Sequence, residues 1–164
     1  MLFSLFFAVF FHECGHILFL FLTKGRLRGI RLGLLGITLR AEYPPSYPAK
    51  ILISLGGPIV GIICFFLFQH AEGELSLFAE ISLALSLFNL LPVSFLDGGN
   101  ALEAFCLIFL PYERAILISR TLSLVTAVTL WCFAVYLFLF LNGSASLFFL
   151  SLGFIFSLLF SKEA

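Results

Sequence analysis

The chain has 164 residues, of which 62% are hydrophobic and only 11% are charged, and its formal net charge is zero. A soluble domain of this length needs a charged, polar exterior, so the composition excludes a soluble enzyme and predicts an integral membrane protein. No basic run and no separate aqueous domain is present, which excludes a reader of nucleic acid. We therefore expect one membrane-embedded domain over 1–164.

Five apolar runs are candidates to cross a bilayer, whose hydrocarbon core is covered by about 20 apolar residues in a helix, and the last of the five is short. They predict an all-α polytopic membrane protein with about five transmembrane helices. The first run lacks a basic leader and a cleavage site, so we expect it to be retained and not removed as a signal peptide. The predicted spans are 2–22, 51–69, 76–96, 116–141 and 145–160.

The first predicted helix contains the sequence His12-Glu13-Cys14-Gly15-His16. Histidines four residues apart project from one helical face, where both can bind one Zn²⁺, while Glu13 is offset and free to move a proton. Cys14 lies about 200° round the helix from His12, so we do not expect it to be a ligand. Ionisable side chains are costly at membrane depth, and three of them within five residues indicate a function.

Lysines and arginines set the expected orientation and depth. Six of the nine lie between the first two spans, which places this segment in the cytoplasm and the N-terminus outside. At about 1.5 Å of rise per residue, His16 then lies about 12 Å from Lys24, in the cytoplasmic half of the bilayer. The alternation of apolar residues with glycines and polar residues in 26–42 predicts short strands after the first helix.

A third metal ligand must come from the same depth as the two histidines. Apart from the glutamate of the motif, two carboxylates lie at a plausible depth, and Glu80 is badly placed near the outer end of its span, which leaves Asp97. Pro92 disrupts the preceding helix, and Gly98-Gly99 permits a turn just after the aspartate. Residues 100–112 are predicted to form a short interfacial or re-entrant helix.

Together these motifs give the chain a resemblance to the site-2 proteases, the zinc metalloproteases of the membrane. The resemblance rests on His12–His16, then Ser54-Leu55-Gly56-Gly57-Pro58, then Asn89-x-x-Pro92 followed by Leu96-Asp97-Gly98-Gly99. The chain is most similar to the small sporulation-type members, because it has no room for a PDZ domain and no CBS domain. We interpret Gly56-Gly57-Pro58 and Gly61 as helix-packing residues that do not take part in the chemistry.

The resemblance implies roles for individual residues. It implies that His12, His16 and Asp97 bind one Zn²⁺ per chain and that Glu13 activates the attacking water. Asn89 is a candidate for binding substrate backbone or the developing oxyanion, and hydrogen bonding to a neighbouring helix is the alternative. Similarity to the family also implies that the β segment is small and membrane-associated, and that its edge holds an extended substrate by strand addition.

The implied activity is intramembrane proteolysis by a zinc metalloendopeptidase. It would cleave a peptide bond in or near a transmembrane segment of a membrane-tethered regulator or precursor. Expected partners are that substrate, the lipid bilayer and a regulatory membrane protein, and the expected location is the cell membrane. A catalytically silent scaffold or binding protein with the same fold is the alternative. A zinc-permeation protein would need further His, Asp or Glu residues along the last spans, where none is found.

Overall fold

The computed structural model describes residues 1–24, 27–33, 36–41, 46–140 and 152–153. This part of the chain contains five helices and a two-stranded hairpin between the first two of them. The helices are α1 (Leu2–Leu22), α2 (Tyr47–Phe68), α3 (Glu74–Asn89), α4 (Asp97–Phe109) and α5 (Tyr112–Phe140). The strands are β1 (Leu27–Gly33) and β2 (Gly36–Ala41). Apart from 152–153, the predicted span 145–160 lies outside the described residues.

Three of the described helices, α1, α2 and α5, are long and apolar enough to cross a membrane. Large apolar side chains such as Phe3 and Leu139 are exposed on their surfaces, as contact with lipid requires. The chain is therefore a membrane protein, as its composition predicts. Helix α1 has the predicted bounds, while α3 has only 16 residues and ends at Asn89, well before the predicted end of its span at 96. The count of five crossings stays a prediction.

The segment between α3 and α4 is irregular because Pro92 has no amide hydrogen to continue a helix. Short turns replace the helix there, with the Val93 amide donating to the Leu91 carbonyl and the Leu96 amide donating to the Val93 carbonyl, both at 2.8 Å. Helix α4 then begins at Asp97, within three residues of the predicted short helix 100–112.

The two glycines after Asp97 do not form the predicted turn, because both lie inside the first turn of α4. Their role is one of packing. A β-carbon on Gly98 would lie against the carbonyl groups of Leu90 and Leu91, and one on Gly99 would overlap the carbonyl of Val93. The absence of side chains thus lets the irregular segment fold back over the start of α4, which fixes the backbone that carries Asp97.

Glycines also set the distance between the first three helices. Helices α1 and α2 meet backbone to backbone, since a β-carbon on Gly15 would stand 2.8 Å from the carbonyl carbon of Gly56. Helices α2 and α3 meet at Gly61, where a β-carbon would overlap the Ser86 hydroxyl and stand 3.0 Å from the Ser82 carbonyl oxygen. Gly56 and Gly61 therefore have the packing role predicted from the sequence.

Helix α4 is held from two sides. Its Glu103 accepts a hydrogen bond from Lys50 near the start of α2, with an N–O distance of 3.0 Å. On the other side α4 packs against α5, and the Ser94 hydroxyl of the preceding segment lies 2.8 Å from the Ser123 hydroxyl of α5. The element that carries Asp97 is thereby tied both to α2 and to α5.

Strands β1 and β2 pair antiparallel, with Leu32 opposite Ile37 and Gly33 opposite Gly36. The pairing is irregular between Leu27 and Gly29. The hairpin falls in the segment whose alternation predicts strands. Its association with the membrane stays a prediction.

Candidate active site

His12 and His16 of α1 meet Asp97, the first residue of α4. The Oδ2 atom of Asp97 lies 3.1 Å from Nε2 of His12 and 3.2 Å from Nε2 of His16. Among the described residues these three form the one group of metal-binding side chains, with ligand atoms all within 4.8 Å of one another. The structure therefore brings together the three side chains for which the sequence predicts metal binding.

Burial differs between the members of this group. The residues His12 and His16 are only 4% and 8% exposed, because α2 packs closely against the face of α1 that carries them. The side chain of Asp97 is 19% exposed. The group is thus enclosed on the side of the imidazoles and more open on the side of the carboxylate.

The orientation of the His16 ring is set by the backbone of α2. Its Nδ1 atom lies 2.8 Å from the carbonyl oxygen of Ile53, and because a carbonyl only accepts, Nδ1 carries the proton. In the neutral ring, Nε2 then has its lone pair on the side of Asp97. The Nδ1 atom of His12 is buried and has no hydrogen-bond partner within the described residues.

The spacing of the three side chains fits a single Zn²⁺. With metal–ligand bonds of about 2.0–2.1 Å, a tetrahedral ion separates its ligand atoms by about 3.3–3.4 Å. The two separations from Asp97, 3.1 and 3.2 Å, lie within a small adjustment of that value, and the ligand atoms of the two imidazoles lie within 4.8 Å of each other. Two imidazoles and one carboxylate are also a ligand set that zinc accepts while leaving its fourth position open.

Gly57 of α2 leaves the space in front of the imidazoles free. A β-carbon at this position would stand 2.7 Å from Nε2 and 2.8 Å from Cδ2 of His12, and closer still to Nε2 of His16. Any side chain on Gly57 would therefore collide with the nitrogen atoms that face Asp97. The space beside the two Nε2 atoms is therefore free only because residue 57 is glycine.

Glu13 is half-buried beside the group and close enough to interact electrostatically with His12, His16 and Asp97. It does not belong to the group of ligand atoms, in keeping with its predicted role in proton transfer. That role itself stays a prediction.

Asn89 is the last residue of α3, and its side-chain amide donates to the Leu85 carbonyl at 3.0 Å. This bond lies within its own helix, so the substrate role of Asn89 also stays a prediction. Of the other side chains weighed in the sequence, Glu80 is exposed on α3, and both Glu80 and Cys14 lie outside the metal-binding group.

Two contributions to the site were missed by the reading of the sequence. The Ile53 carbonyl is a backbone atom that every residue possesses, so no residue type signals it. Gly57 was predicted to be a packing residue together with Gly56, whereas the two glycines face different atoms. The sequence signal that could have indicated this contact is the glycine pair Gly56-Gly57 in the span that follows the histidine motif.

Comparison with known proteins supports a resemblance to zinc metalloproteases. No model of a protein family matches the chain. A curated protein of Synechocystis sp., named only provisionally as a zinc metalloprotease, is 32% identical over 111 residues. This match covers 61% of the present chain and 29% of the Synechocystis protein, so the chain spans less than a third of that relative.

A solved structure resembles the whole chain. The site-2 protease from Methanocaldococcus jannaschii superposes with a TM-score of 0.70 at 22% sequence identity, covering 98% of this chain and 76% of that one. Fold and site together define a membrane protein with a candidate metal site of two histidines and one aspartate. The chain has the site-2 protease fold, and the resemblance predicted from its sequence is confirmed.

Proposed function

We propose that the chain is an intramembrane zinc metalloendopeptidase that cleaves a peptide bond in or near a transmembrane segment. The observation that carries this proposal is the convergence of His12, His16 and Asp97, with the Glu13 carboxylate beside them. Burying ionisable side chains in a membrane protein is energetically costly, so a cluster of them indicates a function.

The side chains divide the chemistry as follows. His12, His16 and Asp97 would hold one Zn²⁺, and when bound this ion would lower the pKa of a water molecule and polarise a carbonyl group. Glu13 takes a proton from the attacking water and delivers it to the leaving nitrogen. Asn89 binds the substrate backbone or the developing oxyanion.

Substrate reaches the site in an extended form. An intact helix hides its carbonyl groups in its own hydrogen bonds, so a transmembrane segment must unwind before water can attack it. The hairpin of β1 and β2 offers strand edges to which an extended segment can pair. We infer that the peptide and the hydrolytic water approach from the side of Asp97, whose side chain is 19% exposed.

The site lies in the cytoplasmic half of the bilayer, with the N-terminus outside and the predicted five spans within one domain. Cleavage there releases a product towards the cytoplasm, which suits a membrane-tethered regulator or precursor as substrate. A second membrane protein that controls access to the site is the expected regulatory partner. The positive-inside rule supports this orientation.

The alternative function is a catalytically silent scaffold or binding protein with the same fold. Retention of both histidines, the aspartate and the glutamate argues against it. A permeation route for zinc would need a series of metal sites, whereas the part of the chain that the structure describes holds no second group of metal-binding side chains.

Cleavage by the purified protein tests the proposal. Wild type and Glu13→Gln are reconstituted into liposomes with a panel of single-span peptides, half of which carry helix-destabilising residues within the span. We expect chelator-sensitive cleavage by wild type inside or beside the span, identified by mass spectrometry, and none by the variant. A wild type that binds zinc and the peptides but cleaves none of them would establish the scaffold function instead.

A further inference from the structure

We infer that Gly57 is a positioning residue of the metal centre, whose missing side chain keeps the place of the ion clear between the two imidazoles. This inference rests on the proposed zinc site, because it assigns a part of that site to a helix that supplies no ligand. It gives α2 a role beyond the packing role predicted from the sequence.

The inference rests on the direction in which a side chain on Gly57 would point. The three atoms nearest to its β-carbon would be Nε2 of His16, Nε2 of His12 and Cδ2 of His12. For His16 only Nε2 is among these three atoms, whereas for His12 the β-carbon would lie beside the bond between Nε2 and Cδ2. A methyl group this close to both Nε2 atoms occupies space that a metal ion bound to them would need.

Neighbouring glycines on α2 face different atoms. A β-carbon on Gly56 would meet the backbone of Gly15 and the ring of Phe19, and one on Gly61 would meet Ser86 and Ser82 of α3. Both of these positions govern how closely helices approach each other. Of the three, Gly57 alone points at imidazole nitrogens, so its effect on metal binding is separable from its effect on helix packing.

The same face of α2 contributes a second element to the centre. Ile53 and Gly57 are four residues apart, which places them one above the other on the helix. The Ile53 carbonyl fixes the proton of His16 on Nδ1, and Gly57 one turn later leaves Nε2 of the same ring accessible. One face of α2 thus both orients the His16 ring and opens the path to its free nitrogen.

Metal binding by Gly57→Ala tests the inference, with Gly61→Ala as the matched control on the same helix. Both variants add one methyl group at a tight helix contact, but only the first faces the histidines. We expect the zinc affinity of purified Gly57→Ala to fall at least about tenfold, as for other supporting residues of metal sites. Gly61→Ala keeps the affinity of wild type. Visible absorption of the Co²⁺-loaded proteins reports loss of four-coordinate binding independently of zinc content.

A double-mutant cycle, measured as thermal stability of the metal-free protein, separates this role from a general packing defect. Thermal unfolding is compared for Gly57→Ala in the wild-type background and in a His12→Ala/His16→Ala background. If the imidazoles are what the methyl group meets, the substitution lowers the melting temperature more in the wild-type background than in the second, while the cost of a β-carbon on the residue before Pro58 is common to both. Failure of Gly57→Ala to fold in the wild-type background, with folding restored once the histidines are removed, supports the inference equally.

Three results would overturn it. The first is a zinc affinity of Gly57→Ala equal to that of wild type. The second is an equal loss of melting temperature in the two backgrounds, and the third is a variant that folds in neither. Absence of zinc binding in wild type would instead refute the proposed function, while the metal-free cycle would still decide whether Gly57 faces the imidazoles.

Discussion

The Nδ1 atom of His16 donates a hydrogen bond to the carbonyl oxygen of Ile53 at 2.8 Å. This single contact joins the helix that carries the histidines to the helix that covers them. It also decides which nitrogen of the neutral ring is free, because a neutral imidazole that donates through Nδ1 presents an unprotonated Nε2. The tautomer needed for metal binding is therefore set by backbone geometry before any ion arrives.

Replacing Asp97 with asparagine is expected to remove zinc. An amide is a neutral and weaker donor than a carboxylate, and the two imidazoles alone bind the ion poorly. We expect a loss of affinity of at least about tenfold, measured as metal content after chelator-free purification. Glu103→Gln removes a carboxylate from the same helix away from the site and serves as the control. Equal zinc in Asp97→Asn and wild type would exclude Asp97 as a ligand.

Removal of zinc by a chelator is expected to lower the melting temperature reversibly. A ligand present at about 100 times its Kd stabilises the folded state by about 2.7 kcal/mol, which corresponds to about 5–10 °C for a chain of this size. His16→Ala is the control, because its melting temperature should not respond to chelator or to added zinc. A similar response in both proteins would show that zinc acts elsewhere on the protein.

The pair of Lys50 and Glu103 is expected to contribute modestly to stability. Both side chains are about a third exposed, at 35% and 29%, so solvent screens their attraction. Each charge reversal alone is expected to lower the melting temperature by about 2–4 °C, in line with about 1 kcal/mol. The double variant Lys50→Glu/Glu103→Lys should recover most of this loss, and no recovery would mean that the pair does not couple α2 to α4.

Adding a side chain at Gly15 is expected to separate α1 from α2. A β-carbon there would overlap the Gly56 carbonyl oxygen, so Gly15→Val should destabilise the fold by more than about 2 kcal/mol. Cys14→Val is the matched control, since Cys14 is half-buried and outside the metal-binding group. It should keep both its melting temperature and its zinc. Loss of zinc in Cys14→Val would instead implicate the thiol.

Proline in the hairpin tests its role in holding substrate. Leu32 lies opposite Ile37, and Leu32→Pro removes a backbone donor from strand β1. We expect slower cleavage of a transmembrane peptide with unchanged zinc content, read from initial rates and metal analysis of the same preparation. Unchanged cleavage would contradict substrate binding by strand addition. Leu34→Pro is expected to have the same effect, and Leu34 itself lies outside the described residues.

Much of the site was accessible from the sequence because its ligands obey simple geometric rules. The spacing of His12 and His16 defines a shared helical face, and the orientation of the spans selects Asp97 over Glu80 by depth. Hydropathy alone, however, extended the third span to 96, because the residues after Asn89 are apolar although Pro92 breaks the helix. The hydropathy of a segment indicates whether it can lie in the membrane, but it does not indicate where the helix ends.

The remaining parts of the site depend on contacts between helices that a single sequence does not encode locally. Gly57 could be predicted to lie in a close contact, but its direction towards the imidazoles follows from the rotation of α2 against α1. The Ile53 carbonyl is likewise chosen by that rotation. For the same reason the ion pair of Lys50 and Glu103 was not predicted, since it depends on how α2 and α4 dock.

The position of Asp97 in the chain, 85 residues after His12, determines when the centre can assemble during synthesis. At about 5–20 residues per second, a ribosome needs about 4–17 s to go from one ligand to the other. Over that interval His12, Glu13 and His16 are already in the chain without the carboxylate that completes their site. The nascent protein therefore acquires its complete candidate metal site only after α3 and the start of α4 have been made.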